Sequence, residues 1–325
     1  MKVGSAELDS FRLSGDKAAD DLLAYMFVKH QHNLGKVWLP FLSDFDSFDI
    51  SKQDEEVKVF FTTHASFPAF FDLKYTLRAT EFYGKNQISI GIVLACYSLP
   101  YCYLGADGAR VLGFSGRIQN QTTRRLQETG KYIQKVMKAS NWENGKAIQV
   151  ILKVRLMHAF WRLMILKSGN WNLDWGVPIN QEDMLGTNLA FSLIVLRGLK
   201  KLGKSVEVNY EQAYLNHWAL ISHFMGIENE LLVSSIKDAQ ILDQLIATRQ
   251  FRSSDIGIEL TAALQGAFLE ISQNQSVADF FKAQSRFLLG SENADKLGID
   301  KKNNIPEILL KTINNTSSFF SKIFV

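Results

Sequence analysis

The sequence predicts an all-α fold built as a single multi-helix domain. Three observations carry the prediction. Apolar residues recur at three- and four-residue spacing far more often than they alternate, only five prolines interrupt the chain, and the best strand-like run, Val206 to Val208, is too short to found a sheet. With 325 residues and 46% apolar content the chain can bury a large core, and 21% charged residues argue against disorder.

Taken in order, helical periodicity runs over Lys17 to His30, Lys52 to His64, Gln87 to Leu99, Thr122 to Lys138 and Asn144 to Leu166. After Pro178 the start of a helix is readable. Asn180 can cap it, Asp183 follows three positions later as in a capping box, and Gln181 and Glu182 suit the positive end of the dipole. That helix is expected to continue to about Leu202, where Gly203 ends it. Further helices are expected over Tyr210 to Met225, Glu230 to Gln250, Ile256 to Ile271 and Val277 to Leu288. Residues 1–290 are thus expected to form one helical domain. Residues 291–325 hold a polar stretch (SENADKLGIDKKNN) and an apolar tail (SSFFSKIFV) expected to dock on it.

Several classes are excluded. A net charge of +3, with basic residues scattered among acids, leaves no footprint for nucleic acid. Cys96 and Cys102 are six apart in an apolar stretch, which fits neither a zinc spacing nor a disulfide framework, so buried free thiols are expected. The N-terminus has no basic segment followed by an apolar one, so no export signal is read and a cytoplasmic protein is expected. The longest apolar stretch, Ile88 to Leu104, is broken by Ser98 and Pro100, short of the roughly 18 residues a membrane span needs. The tail leaves peripheral membrane association open.

Gly198 to Ser205 (GLKKLGKS) has the spacing of a phosphate-binding loop. It is rejected because that loop needs a strand leading in and a helix beginning at the Lys and Ser. Here the preceding FSLIVL continues the helix capped at Asn180, and Val206-Glu207-Val208 favours extension where the helix should start.

The chemically suggestive helix is KVRLMHAFWRLMIL. On the face of His158 lie Ile151, Val154, Arg155, Trp161, Arg162 and Ile165, which mixes apolar side chains with two cations. A haem needs such a surface: an imidazole for iron, apolar side chains against the macrocycle, and guanidinium forks for its propionates. The bland alternative is a core histidine, with Arg155 and Arg162 paired to acids such as Asp174 or Glu182. Some thirty residues earlier, Arg125 and Thr129 lie four apart on one helix face, where the bland alternative is an exposed helix. The other histidines make no metal constellation: His30 and His32 are two apart, His64 stands alone, and His217 and His223 are six apart.

Several segments in order resemble the MpaB and latex-clearing-protein oxygenase family: GDKAAD (Gly15 to Asp20), VKVFFTTHASFPAFFD (Val57 to Asp72), SLPYCYLGADGARVLGFSGRI (Ser98 to Ile118), RRLQET (Arg124 to Thr129), VRLMHAFWR (Val154 to Arg162), GVPINQEDMLGT (Gly176 to Thr187) and NHWALISHFMGI (Asn216 to Ile227). The resemblance implies a helical, haem b-dependent oxygenase, with His158 as proximal iron ligand and Arg125 and Thr129 as the polar pair near the haem. It implies dioxygen and an apolar, terpenoid-like small molecule as substrates. Arg155 and Arg162 are assigned to the propionates from helix geometry. Phe60, Phe67, Phe70 and Phe71 would line an apolar channel, or else are plain core. The polymer-cleaving members use a carboxylate upstream of the Arg and Thr pair. The nearest acid here, Asp107, reads as a turn residue between glycines, so a haem-binding carrier or sensor without turnover is the alternative.

Overall fold

Residues 3–47, 49–114 and 118–300 are described by the structure, a computed structural model. Among them seventeen α-helices follow one another with no β-strand beyond an isolated bridge between Gly105 and Phe251. The chain begins with α1 (Ser5–Arg12), α2 (Lys17–His30), α3 (Leu34–Ser43), α4 (Glu55–Thr63) and α5 (Leu73–Val93). A π-helical turn over Leu94–Ser98 joins α5 to α6 (Leu99–Tyr103), which is followed by α7 (Ala106–Phe114) and α8 (Ile118–Val136). Next come α9 (Ala139–Glu143), α10 (Lys146–Lys167), α11 (Gln181–Phe191), α12 (Leu193–Lys201) and α13 (Val208–Phe224). The last four are α14 (Ile236–Gln250), α15 (Asp255–Ser272), α16 (Gln275–Leu289) and α17 (Ser291–Lys296).

Side-chain caps account for many of the starts. Asp16 caps α2, Asn180 caps α11 by accepting from the Asp183 amide at 2.9 Å, and Ser235, Ser254 and Asn274 cap α14, α15 and α16. The helix expected to run unbroken from Asn180 to Leu202 instead bends at Ser192, whose φ of −108° and ψ of −81° separate α11 from α12. Its buried hydroxyl donates to the Asn188 carbonyl four residues back at 2.9 Å, a local bond that competes with regular helix geometry. The helix expected from Gln87 begins at Leu73. Its buried face includes Thr76, Ala79 and Thr80 beside Phe82 and Tyr83, which blurs the apolar stripe. Val206 to Val208 forms no strand; Val208 opens α13.

α10 is the hub. It packs against α2, α3, α8, α9 and α13, and it is buried over most of its circumference, with Lys153, Arg155 and Arg162 among its buried side chains. α5 and α13 lie against each other, and α15 packs on α8 and α16. A second, smaller cluster of apolar residues, including Leu8, Leu185, Leu215 and Leu242, joins α1, α11, α13 and α14. Beyond Leu289 the chain stays packed, for Ala294, Leu297 and Ile299 are buried in the main core. Residues 301–325, including the apolar tail, lie outside the described residues. Among the described residues no helix is long and apolar enough to cross a membrane.

Candidate functional site

His158 sits past the middle of α10 and is half-buried, and its Nδ1 is shut off from solvent with no hydrogen-bond partner among the described residues. Burial, reinforced by the nearby Arg162 guanidinium, lowers its pKa to about 4, so the ring is neutral at physiological pH. A neutral imidazole is the metal-ligating form, and a buried polar atom left unpaired costs about 1 to 3 kcal/mol. His217 shows what a satisfied core histidine looks like in the same fold. It is fully buried on α13 with Nε2 3.0 Å from the Val136 carbonyl and Nδ1 3.4 Å from the Thr76 hydroxyl.

Arg155 and Arg162, assigned to the propionates from helix geometry, are each engaged by an acid of α2 or its cap. The Arg155 guanidinium holds the buried Asp16 carboxylate through Nε and Nη2, the latter at 2.8 Å. Arg162 pairs with Asp20 through Nη1 and donates to the Pro178 and Ile179 carbonyls at 3.0 and 2.8 Å. Both cations therefore tie α10 to α2 and to the loop before α11. Two glycines make room for them. A side chain at Gly15 would stand 2.7 Å from Asp20 and 2.8 Å from Arg162, and one at Gly226, where φ is +82°, would stand 2.6 Å from Arg155 Nε. The acids are Asp16 and Asp20 rather than the Asp174 and Glu182 weighed as partners. The usable signal was GDKAAD itself, whose two aspartates lie one helical turn apart.

Arg125 and Thr129 lie on α8, which packs directly on α10. Both are half-buried, and no ion pair or hydrogen bond engages either among the described residues. The bland reading of an exposed, acid-paired arginine does not hold for Arg125. Its charge is felt by the buried Tyr103 phenol of α6, whereas His158 feels Arg162 and Asp16. Three residues beyond Thr129, the Tyr132 hydroxyl is also buried without a partner among the described residues. One face of α8 thus carries an unpaired guanidinium, a hydroxyl and a phenol.

Sequence reasoning missed a junction of buried charge. Glu182, fully buried at the start of α11, receives Arg12 from α1 at 3.1 Å and Arg249 from α14 at 2.8 Å, with the Gln250 amide at 3.2 Å. Asp183 beside it also meets Arg12, at 3.1 Å, yet burial pushes its carboxyl up to about 6. Asp107 is no turn residue. It lies in the first turn of α7, buried, and pairs with Arg252 of the loop after α14. Both cysteines are free thiols, and burial pushes Cys102 up to about 12, so neither is a ready nucleophile.

The phenylalanines divide. Phe60 is buried core, but Phe67 and Phe70 stand 43% and 45% exposed, so these four rings do not line an interior channel. A cavity of about 450 Å³ opens elsewhere, between α1 and the start of α14, with Phe11, Leu232 and Leu242 in its wall.

Residues 98–308 match the family model described as ER-bound oxygenase mpaB/B'/Rubber oxygenase, catalytic domain. The rubber oxygenase of Streptomyces sp. (strain K30) is 28% identical over 166 residues, which span 49% of this chain and 39% of that protein. The solved structure of latex clearing protein LCP in the closed state shares the fold, with a TM-score of 0.77 at 20% identity over 97% of this chain and 85% of that one. The family match contains α8, α10 and the residues singled out on them. With that match covering more than half of its length, the chain belongs to the mpaB and rubber oxygenase catalytic-domain family.

Proposed function

We propose that this chain is a haem b-dependent oxygenase acting on an apolar, terpenoid-like small molecule, with His158 as the proximal iron ligand. The observation that carries the proposal is the buried Nδ1 of a neutral imidazole left without a partner among the described residues, past the middle of the hub helix. The residues present fit a haem on that ground, and on the Arg125 guanidinium, unpaired among the described residues, carried by the helix packed alongside. Family membership supports the oxygenase class.

When bound, a histidine-ligated haem supplies an iron site at which dioxygen can be held and activated. The chain's own residues do the rest. Burial keeps His158 neutral and available across physiological pH. The Asp16–Arg155 and Asp20–Arg162 pairs hold α10 against α2, so the ring cannot drift. Arg125, with no acid paired to it among the described residues, offers a positive charge to a developing anion. Thr129 offers a hydroxyl that can donate or accept, and so pass a proton at its Oγ1. The carrier or sensor reading draws support from Asp107, whose carboxylate is spent on Arg252 and is not available as a base.

The test is an absorption spectrum of the purified protein after haem reconstitution, repeated for His158→Ala. A Soret band in the wild type and its loss in a still-helical variant are expected. No band in either protein would overturn the proposal. A normal band without oxygen uptake on any apolar substrate offered would replace it with the carrier reading.

A further inference from the structure

The outward face of α15 carries an apolar row. Ile258 and Leu269 are 39% and 40% exposed, Ala262 and Gly266 lie between them at helical spacing, and nothing stands within 4 Å of where a side chain at Gly266 would begin. The opposite side of the same helix is core, with Leu260, Leu264 and Phe268 buried. One flank of the row is acidic, since Asp255, Glu259 and Glu270 are all exposed. Glu270 accepts from the Thr123 hydroxyl of α8 at 2.6 Å, whereas no ion pair engages Asp255 or Glu259 among the described residues. The cations of α16 and α17 are taken by other acids: Lys282 by Asp300, Arg286 by Asp295 and Lys296 by Glu292.

The chain arrives at the head of this row. A side chain at Gly298 would stand 3.3 Å from Ile258 Cγ2, and Leu297 and Ile299 on either side of it are buried. Past Asp300 the sequence continues with Lys301 and Lys302, and then with Ile305, Ile308, Leu309 and Ile313, apolar residues at offsets of three, four and eight from the first. Residues 301–325 hold four lysines against one glutamate. The reach is sufficient, because four residues span up to about 14 Å and the row from Ile258 to Leu269 is only about 17 Å long at helical rise.

An apolar row left open by its own domain, an acidic flank without cations and a lysine pair entering at that same end fit one occupant. We infer that the row on α15 is the seat of the chain's own residues 305–313, with Lys301 and Lys302 brought beside Asp255 and Glu259. A second copy fits less well, since a two-fold contact through this row sets the acidic flank against its own equivalent. α15 packs on α8, so a segment seated there braces from outside the helix that carries Arg125 and Thr129. The inference stands on exposed side chains and is independent of the haem reading.

The test is the rate at which a maleimide labels Ala262→Cys in the full chain, with Lys237→Cys on α14 as an exposed reference and mass spectrometry to count Cys96 and Cys102 apart. Ala262→Cys is expected to label about tenfold more slowly than the reference. Ile308→Asp combined with Leu309→Asp should bring it up to the reference rate. Lys301→Glu combined with Lys302→Glu should raise it about threefold, and less at high salt. A second readout leaves the lysines and the flank intact: in a chain carrying both Ala262→Cys and Leu309→Cys, mild oxidation should join the two positions within one molecule. Circular dichroism checks that each variant keeps its helices. Labelling of Ala262→Cys at the reference rate, with no disulfide in the double variant, would overturn the assignment. So would slow labelling that survives both sets of charge changes, and if it deepens with protein concentration a second copy is the occupant.

Discussion

The Asp16 carboxylate grips the Arg155 guanidinium through two of its nitrogens, less than one helical turn before His158 on the same helix. The pair is buried, and it brings the cap of α2 onto α10. It makes Arg155 a fastening between two helices.

That fastening predicts a large loss when one partner goes. Asp16→Asn leaves a buried guanidinium without its charge partner and is expected to cost about 3 to 5 kcal/mol in urea unfolding. Gly226→Ala should also destabilise, by about 1 to 3 kcal/mol, because an L side chain there is strained at φ +82° and collides with the same pair.

Arg125→Ala separates binding from turnover. The Soret band is expected to survive, since His158 is untouched, while oxygen uptake on a productive apolar substrate falls about a hundredfold. Thr129→Val should retain the band as well and lower uptake about tenfold.

His217 sets a pH dependence of stability. Its folded pKa is depressed by burial to about 4 from an ordinary value near 6.5. The unfolded chain therefore binds the extra proton between those values, so the contribution of His217 is present above about pH 6.5 and is lost as pH falls towards 4. Asp183, raised to about 6, works in the opposite direction, since the folded state holds its proton more tightly and gains stability as pH falls through that range. Subtracting the stability of His217→Gln from that of the wild type cancels the Asp183 contribution. The difference should widen by roughly 3 kcal/mol between pH 4 and pH 6.5 in denaturant titrations.

Gly198 is required for packing and not for phosphate. It lies inside α12, where an added methyl would stand 2.8 Å from Val93 Cγ2 and 3.2 Å from the Tyr97 ring. Gly198→Ala should therefore cost about 1 to 3 kcal/mol by forcing α12 off α5. ATP with magnesium should leave the melting temperature of wild type and variant unchanged.

Much of the fold was legible because helix signals are local. Lys17 to His30 ends where expected, and the Asn180 cap closes on Asp183 as its spacing required. What failed was non-local or hidden by mixed composition. Ser192 breaks a helix whose apolar pattern runs straight through it, and the Thr-rich buried face of α5 conceals its first half. At the candidate site, the helix positions of Arg125, Thr129 and His158 could be read from spacing, but the packing of α8 on α10 across α9 could not. The fate of Arg155 and Arg162 could not, because their partners lie 139 and 142 residues away. Spacing along one helix says which side chains share a face and is silent about what the rest of the chain brings to it.

The Glu182 junction has a consequence for the order in which the protein can be assembled. Its cations come from Arg12 and Arg249, and Arg249 also reaches the Ser5 carbonyl, a contact spanning 244 residues. During synthesis the first helix emerges long before its electrostatic seat: Arg12 meets Glu182 and Asp183 only once those residues have been made, and Glu182 gains its second cation only when Arg249 follows. Closure of the amino terminus is thus a late event, slow in the way long-range loop closures are, and a nascent chain halted before residue 182 would carry α1 without the helix and the carboxylate that receive it.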